Sequence, residues 1–178
     1  MTDVLDNVGE LLAAIRTVPD FPKPGIQFKD MSPILGNPRL LKMAVDELVR
    51  PIKDLGVDKV LGIESRGFIL GAMIAEQLHA GFVPIRKAGK LPAQTISESY
   101  DLEYGSAVIE MHADALEPGD RVLIHDDLIA TGGTAAATGK LVKRVAATLV
   151  AYSFLIELDA LDGRSQLEGS PVHSLLHL

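Results

Sequence analysis

Apolar residues along the chain recur at two different spacings, and the order in which those spacings alternate predicts the fold. Val4, Leu5, Val8, Leu11, Leu12 and Ile15 lie at helical spacing, which predicts an amphipathic N-terminal helix ended by Pro19. From Pro19 to Pro33 the chain carries four prolines and Gly25, so this segment is expected to be extended and irregular. Asn37 before Pro38 reads as a helix cap with proline at the first helical position, and Leu41, Val45, Leu48 and Ile52 supply the buried stripe. Continuous apolar runs at residues 59–63, 82–85, 122–124, 148–156 and 172–176 read as strands buried on both faces. Helical stripes follow the first of these through Ile69, Met73 and Leu78, and the third through Ala135, Leu141 and Val142. Residues 97–103 and 106–111 read as a hairpin about Tyr104 and Gly105, a flap outside the main sheet. Strand and helix alternate, so the expected fold is α/β: a mostly parallel central sheet flanked by helices, with right-handed crossovers.

Chemistry concentrates at the strand ends, where open α/β sheets bind ligands. The richest stretch is residues 121–134 (RVLIHDDLIATGGT). Thr131, Gly132, Gly133 and Thr134 offer open backbone N–H groups and two hydroxyls at a helix N-terminus, an anion site favoured by the helix dipole. Asp126 and Asp127 would repel a phosphate but accept hydrogen bonds from neutral hydroxyls, or hold a cation that a polyphosphate brings. A sugar phosphate satisfies both halves. The nearest approach to a Walker loop, Gly133 to Lys140, has one residue too many between its glycines and Leu141 where a hydroxyl should bind magnesium. No Gly-x-Gly-x-x-Gly follows a strand, so a dinucleotide fold is unsupported.

Composition narrows the partners. A net charge of -7 argues against nucleic acid, whose phosphates need a basic face. The absence of cysteine excludes disulfides, thiol catalysis and zinc–cysteine sites, and fits a reducing, cytoplasmic setting. The acidic N-terminus has no signal-like apolar core and no apolar run is long enough to span a membrane. With 47% apolar but only 4% aromatic residues, the core must be aliphatic, and Phe21 and Phe28 on a proline-rich segment become candidates for stacking on a planar ligand as well as loop anchors. Arg86, Lys87 and Lys90 form a basic loop in an acidic chain, either a solvated surface run or a lid that closes on phosphate. At the turn of residues 64–68 (ESRGF), Arg66 is either a surface partner of Glu64 or an anion ligand. His125, on a buried strand, reads as a core histidine, and His79, His112, His173 and His177 have no motif around them.

The stretch 121–134 closely resembles the phosphoribosyl pyrophosphate loop of type I phosphoribosyltransferases. Residues 20–30 (DFPKPGIQFKD), 64–68 (ESRGF), 86–92 (RKAGKLP) and 100–105 (YDLEYG) resemble the adenine-specific branch of that family, in its order and over nearly the whole chain. The resemblance implies one phosphoribosyltransferase domain over residues 1–178, with an N-terminal helix and purine hood at 1–35 and a flexible loop and flap at 86–112. It implies purine salvage: adenine displaces pyrophosphate from phosphoribosyl pyrophosphate, giving AMP, with Mg2+ on the phosphates. It places the sugar phosphate on Ala130, Thr131, Gly132, Gly133 and Thr134, the ribose hydroxyls on Asp126 and Asp127, and pyrophosphate on Ser65 and Arg66 under a loop bearing Lys87, Lys90 and Tyr104. Adenine is expected between Phe28 and Leu128, its edge read by the backbone of Gln27 and Lys29, with Glu103 as general acid or base. Glu103, Arg66 and Lys87 are thus the expected catalytic residues. Magnesium is expected on substrate oxygens and water, touched by Asp126 or Asp127 through water at most, because adjacent strand residues point to opposite faces. Gln27 and His125 stand where this family usually has apolar residues. A homodimer is expected. The alternatives are transfer to another purine and a non-catalytic phosphoribosyl pyrophosphate sensor; the latter would need an output module, and no helix-turn-helix or basic face is present.

Overall fold

A computed structural model describes residues 2–101, 105–167 and 169–178, the first four of them as backbone only. The chain divides into two compact units, Met1–Glu47 and Leu48–Leu178.

In the first unit, α1 (Thr2–Ala14) ends before the proline expected to stop it, because Arg16–Pro19 is already a strand, β1. Its antiparallel partner is β2 (Gln27–Asp30), in register from Arg16 opposite Asp30 to Pro19 opposite Gln27. The proline-rich segment is therefore not irregular throughout. Pro22 and Pro24 sit in the connecting loop, which leaves residues 27–30 with every N–H available for pairing. Asp20 closes that loop by accepting the Gly25 N–H at 2.7 Å, and Arg16 is ion-paired to Asp30 at the open end. Pro33 falls in the first turn of the short α2 (Ser32–Leu35), where its missing N–H is not needed. Before α3 (Pro38–Val49), Asn37 Oδ1 accepts the N–H of Arg39 at 3.0 Å and of Leu40 at 3.3 Å, the expected cap. Its buried stripe is Leu40, Ala44, Val45, Leu48 and Val49, with Leu41 only half-buried.

The second unit is a seven-stranded sheet in the order β5-β6-β4-β3-β7-β8-β9. Its strands are β3 (Lys59–Ile63), β4 (Gly81–Lys87), β5 (Thr95–Asp101), β6 (Ser106–His112), β7 (Arg121–Ile129), β8 (Thr148–Glu157) and β9 (Val172–His177). The run β4-β3-β7-β8-β9 is parallel and β5-β6 is antiparallel to its neighbours. The expected mostly parallel α/β sheet is therefore present, but the hairpin is not outside it. Arg86 and Lys87 pair with Glu110 and Ile109 of β6, which extends β4 past its apolar run and joins the hairpin to the sheet edge. Gly105 stands in the turn that follows β5, and the predicted Glu103 and Tyr104 lie outside the described residues.

Pleating separates the two faces of this sheet. On one, Leu61, Ile63, Ile124, Tyr152 and Phe154 pack with Ala137, Leu141 and Val142 of α5 (Gly133–Arg144) in an aliphatic core. On the other, α4 (Gly67–Gln77) sits against Gly62 and His125. Here the Phe82 ring fills the space that side chains would occupy: a Cβ on Gly62 would lie 2.5 Å from the ring, and one on Gly71 3.1 Å. Leu123, Ile124, Leu141 and Phe154 are essentially inaccessible, and truncating any of them to alanine should leave a cavity costing about 2–5 kcal/mol. No helix among the described residues is long and apolar enough to cross a membrane.

Candidate active site

β3 and β7 are adjacent and parallel, so the turn after β3 and the loop after β7 leave the sheet side by side at its C-terminal edge. β7 does not end at its two acids, as the sequence predicts. It continues to Ile129 because β8 still offers partners, Phe154 opposite Asp126 and Glu157 opposite Ile129, after the ladder to β3 has stopped at His125. Asp126 and Asp127 thus stand on a strand that overhangs its neighbour.

From that overhang the carboxylates diverge. Asp127, only 5% exposed, holds the Arg66 guanidinium at 2.9 Å (Nε to Oδ2). Asp126 accepts the N–H of Asp127 at 2.8 Å and lines a cavity of about 110 Å³ with Leu128, Ala130, Thr131, Gly132, Gly133, Thr134 and Phe154. Burial pushes the Asp126 carboxyl well above the usual carboxylate range, and the Asp127 charge adds to the effect. Burial also raises Asp127, against the pull of Arg66. Both shifts oppose further negative charge at this point, which suits hydroxyl donors rather than bare anions.

The anion half of the cavity rests on two interleaved glycines. Gly132 caps α5 with φ at 82°, in the left-handed region, and a Cβ there would meet the Gly163 carbonyl oxygen at 2.2 Å. A Cβ on Gly163 would in turn meet the Ala130 oxygen at 2.2 Å. Gly133 faces the Tyr100 ring at the end of β5, 3.3 Å from its would-be Cβ. The loop of residues 130–134 is thus held from both sides, by the Tyr100 stretch already singled out in the sequence and by the Gly163 turn, which belongs to no motif. The Asp162-Gly163 pair is the one turn signal that marks that second segment.

Across the turn after β3, Glu64 is not Arg66's partner. Its carboxylate accepts Arg86 Nε at 3.2 Å, Arg86 Nη2 at 3.3 Å and the Lys87 N–H at 3.0 Å. Those bonds, led by Arg86, hold it below the usual carboxylate range. The register of β3 on β4, Ile63 opposite Ile85, puts the two residues side by side. Arg86 is therefore a brace, also donating to the Lys90 carbonyl at 3.0 Å, while Lys87 and Lys90 keep exposed ammonium groups with no carboxylate partner among the described residues. Ser65 follows a cis peptide bond after Glu64. Gly67 packs so tightly on β7 that a Cβ would sit 2.8 Å from Asp126 Oδ1.

The predicted base-binding residues divide between the units. Leu128 lines the β7 cavity. Phe28, in β2, meets the Phe21 ring edge-on at 5.1 Å, Lys29 Nζ donates to Thr17 Oγ1 at 3.1 Å, and Gln27 is exposed at the end of its strand. His125 is a core residue, as read: it is fully buried, and neither ring nitrogen meets a hydrogen-bonding partner.

Residues 34–169 match the phosphoribosyl transferase domain profile. The chain is 57% identical over 173 residues, 97% of it and 98% of the relative, to the adenine phosphoribosyltransferase of Acidothermus cellulolyticus. Among solved structures, the adenine phosphoribosyltransferase of Rhodothermus marinus superimposes with a TM-score of 0.94 at 60% identity, covering 98% of this chain and 99% of that one. The Saccharomyces cerevisiae enzyme, complexed with adenine and an imino-altritol bisphosphate, has a TM-score of 0.91 at 43% identity, covering 96% and 99%. With a family match over most of its length, full-length relatives of one kind and this acid-pair and glycine loop at the sheet edge, the chain belongs to the phosphoribosyltransferase family, in its adenine phosphoribosyltransferase branch.

Proposed function

We propose that the chain transfers the phosphoribosyl group of phosphoribosyl pyrophosphate to adenine, giving AMP and pyrophosphate. The observation that carries this is the β7 cavity, which sets the Asp126–Asp127 pair beside a glycine loop at a helix N-terminus and so matches the hydroxyl and phosphate ends of one sugar phosphate. The ligands of the yeast relative, adenine and a bisphosphorylated sugar analogue, support the same pairing of substrates.

In this reading the C1–oxygen bond to pyrophosphate breaks as the bond from adenine N9 to C1 forms, and positive charge grows on the ribose ring. Residues 130–134 hold the 5-phosphate, and Asp126 and Asp127 take the ribose hydroxyls. Arg66 leaves Asp127 for the departing pyrophosphate when those hydroxyls arrive, and Lys87, Lys90, Ser65 and Tyr104 add to the anion's surroundings. Glu103 takes the proton that the purine loses, and Phe28, with backbone groups of Gln27 and Lys29, recognises the base. The oxygen donors here fit magnesium only loosely, since Asp127 is committed to Arg66 and Asp126 to a backbone N–H. A magnesium ion would be held by substrate oxygens and water, with Asp126 or Asp127 in its outer shell, and would offset charge on the leaving group.

The direct test is pyrophosphate release from phosphoribosyl pyrophosphate and magnesium with each nucleobase in turn. Adenine should react fastest; faster release with hypoxanthine, guanine or xanthine would overturn the assignment, and binding without release to any base would favour a sensor. The roles also separate in mutant kinetics. Asp127→Asn should raise KM for the sugar substrate at least tenfold with a smaller loss in kcat, whereas Glu103→Gln should lower kcat by roughly 10²-fold or more with little change in KM. Parallel losses in both parameters for both variants would sink this division of labour.

A further inference from the structure

Farther along α5 from the β7 cavity lies a second cavity of about 240 Å³ lined by Ala136, Gly139, Lys140, Lys143, Tyr152 and Gln166. That volume matches about eight water molecules' share of the liquid. Every polar side chain in the lining is a hydrogen-bond donor or can act as one, and no carboxylate lines it. In a chain with a net charge of -7 this is an unusual concentration of donors.

The arrangement is set by helix periodicity and by one glycine. Ala136, Gly139, Lys140 and Lys143 fall on one face of α5 at spacings of three and four residues, so both ammonium groups rise from the same side. At Gly139 a Cβ would lie 2.4 Å from the Tyr152 hydroxyl oxygen; the missing side chain makes room for that hydroxyl at the cavity wall. Tyr152 itself is 2% exposed and packed in the core beside Phe154, yet its hydroxyl has no hydrogen-bond partner among the described residues. Burial pushes its pKa up to about 12, so it remains a protonated donor at neutral pH. The hydroxyl oxygen is not among the fully buried atoms; it opens on the cavity, where an acceptor can reach it. The neighbouring charges do not supply one. Glu98 lies 3.7 Å from Lys140 but is shared with Arg144, and Lys143 has no carboxylate partner among the described residues.

We propose that this cavity is a second anion site, binding a phosphate-type oxyanion on Lys143, Lys140, the Tyr152 hydroxyl and the Gln166 amide. It is separate from the cavity assigned to the sugar phosphate, although the two share a wall: Gln166 Cβ lies 3.1 Å from the position of a Cβ on Gly132.

The test uses the full-length protein saturated with AMP, so that the loop of residues 130–134 is already filled, and titrates inorganic phosphate by calorimetry. Beyond any uptake at the pyrophosphate subsite of Arg66 and Lys87, which AMP leaves empty, one further binding event is expected, weakened about tenfold or more by Lys143→Ala and by Tyr152→Phe and unchanged in the exposed control Lys53→Ala. No event beyond that subsite, or a titration unchanged in Lys143→Ala, would overturn the site. Tyr152→Phe keeps the ring and its packing; should it still fail to fold, Lys143→Ala decides alone. In crystals of the same complex soaked with selenate, an anomalous peak bounded by Lys143 and Tyr152 is expected, and its absence there counts against the proposal. If AMP itself does not bind, the transferase reading fails, while the effect of Lys143→Ala on the phosphate titration still judges this second cavity.

Discussion

Replacing Gly132 by alanine is expected to lower stability by about 2–5 kcal/mol and to raise KM for the sugar pyrophosphate at least tenfold. Two costs combine. The φ of 82° is unfavourable for any residue with a Cβ by about 1–2 kcal/mol, and the new methyl would collide with backbone, the Gly163 oxygen at 2.2 Å, rather than with a side chain able to turn away. Gly163 is itself closely apposed to the loop, since a Cβ built on it would lie 2.2 Å from the Ala130 oxygen. Relief must come from moving the loop of residues 130–134, which is also the proposed phosphate cradle, so stability and binding should fall together. Gly119→Ala provides the control. Gly119 also has a positive φ, 93°, but nothing lies within 4 Å of its would-be Cβ and it stands in the turn before β7. It should lose only the conformational part and keep KM unchanged. Thermal unfolding and steady-state kinetics on both variants check this; a Gly132→Ala protein with normal KM would show that the loop is not where phosphate binds.

How far the chain can be read without its structure follows from which interactions are local. The Asn37 cap and the apolar strand runs depend on spacing within one segment, and they stand where the sequence puts them; the helix stripes are displaced, since α4 buries Leu70 and Ile74 and leaves the expected Ile69 exposed, and α3 buries Leu40 in place of Leu41. The site motif is local too: acids, glycines and threonines within nine residues of one strand end. What spacing does not reveal is pairing between segments. β7 extends through Asp126 and Asp127 because β8 outlasts β3, and β4 reaches Lys87 because β6 is there to receive it. The same holds for charge. Glu64 and Arg66 are neighbours in sequence, yet the β3–β4 register delivers Arg86 to Glu64 and leaves Arg66 to Asp127, a partner sixty-one positions away. Burial beneath Asp126, and hence its raised pKa, likewise comes from packing such as Gly67 on β7, where only the absence of a side chain permits the approach.

His125 supplies the pH-dependent case, because its imidazole is fully buried with neither nitrogen hydrogen-bonded. Burial drives its pKa down from 6.5 to about 3, and the backbone of Ser153 offsets this only slightly, short of hydrogen-bonding geometry. The unfolded chain therefore binds a proton that the native one refuses between these two values. Native stability is unaffected by this group well above pH 6.5, declines as pH falls below it, and stops declining near pH 3. Between pH 7 and pH 5 the linkage amounts to about 2 kcal/mol. Asp126 and Asp127 have raised values and work in the opposite sense, gaining relative stability on acidification, so the wild-type curve alone mixes the two. His125→Leu separates them. The leucine fills similar space on the α4 face, where the ring lies 3.5 Å from the position of a Cβ on Gly71, and it removes two unsatisfied polar atoms. It should stabilise the protein by about 1–3 kcal/mol at pH 7, and its advantage should grow by about 2 kcal/mol more at pH 5. Denaturant unfolding of both proteins at the two pH values measures the difference directly. An advantage that stays constant with pH would mean that the native imidazole accepts its proton as readily as the unfolded one, and a loss of stability at pH 7 would mean that its nitrogens are not orphaned.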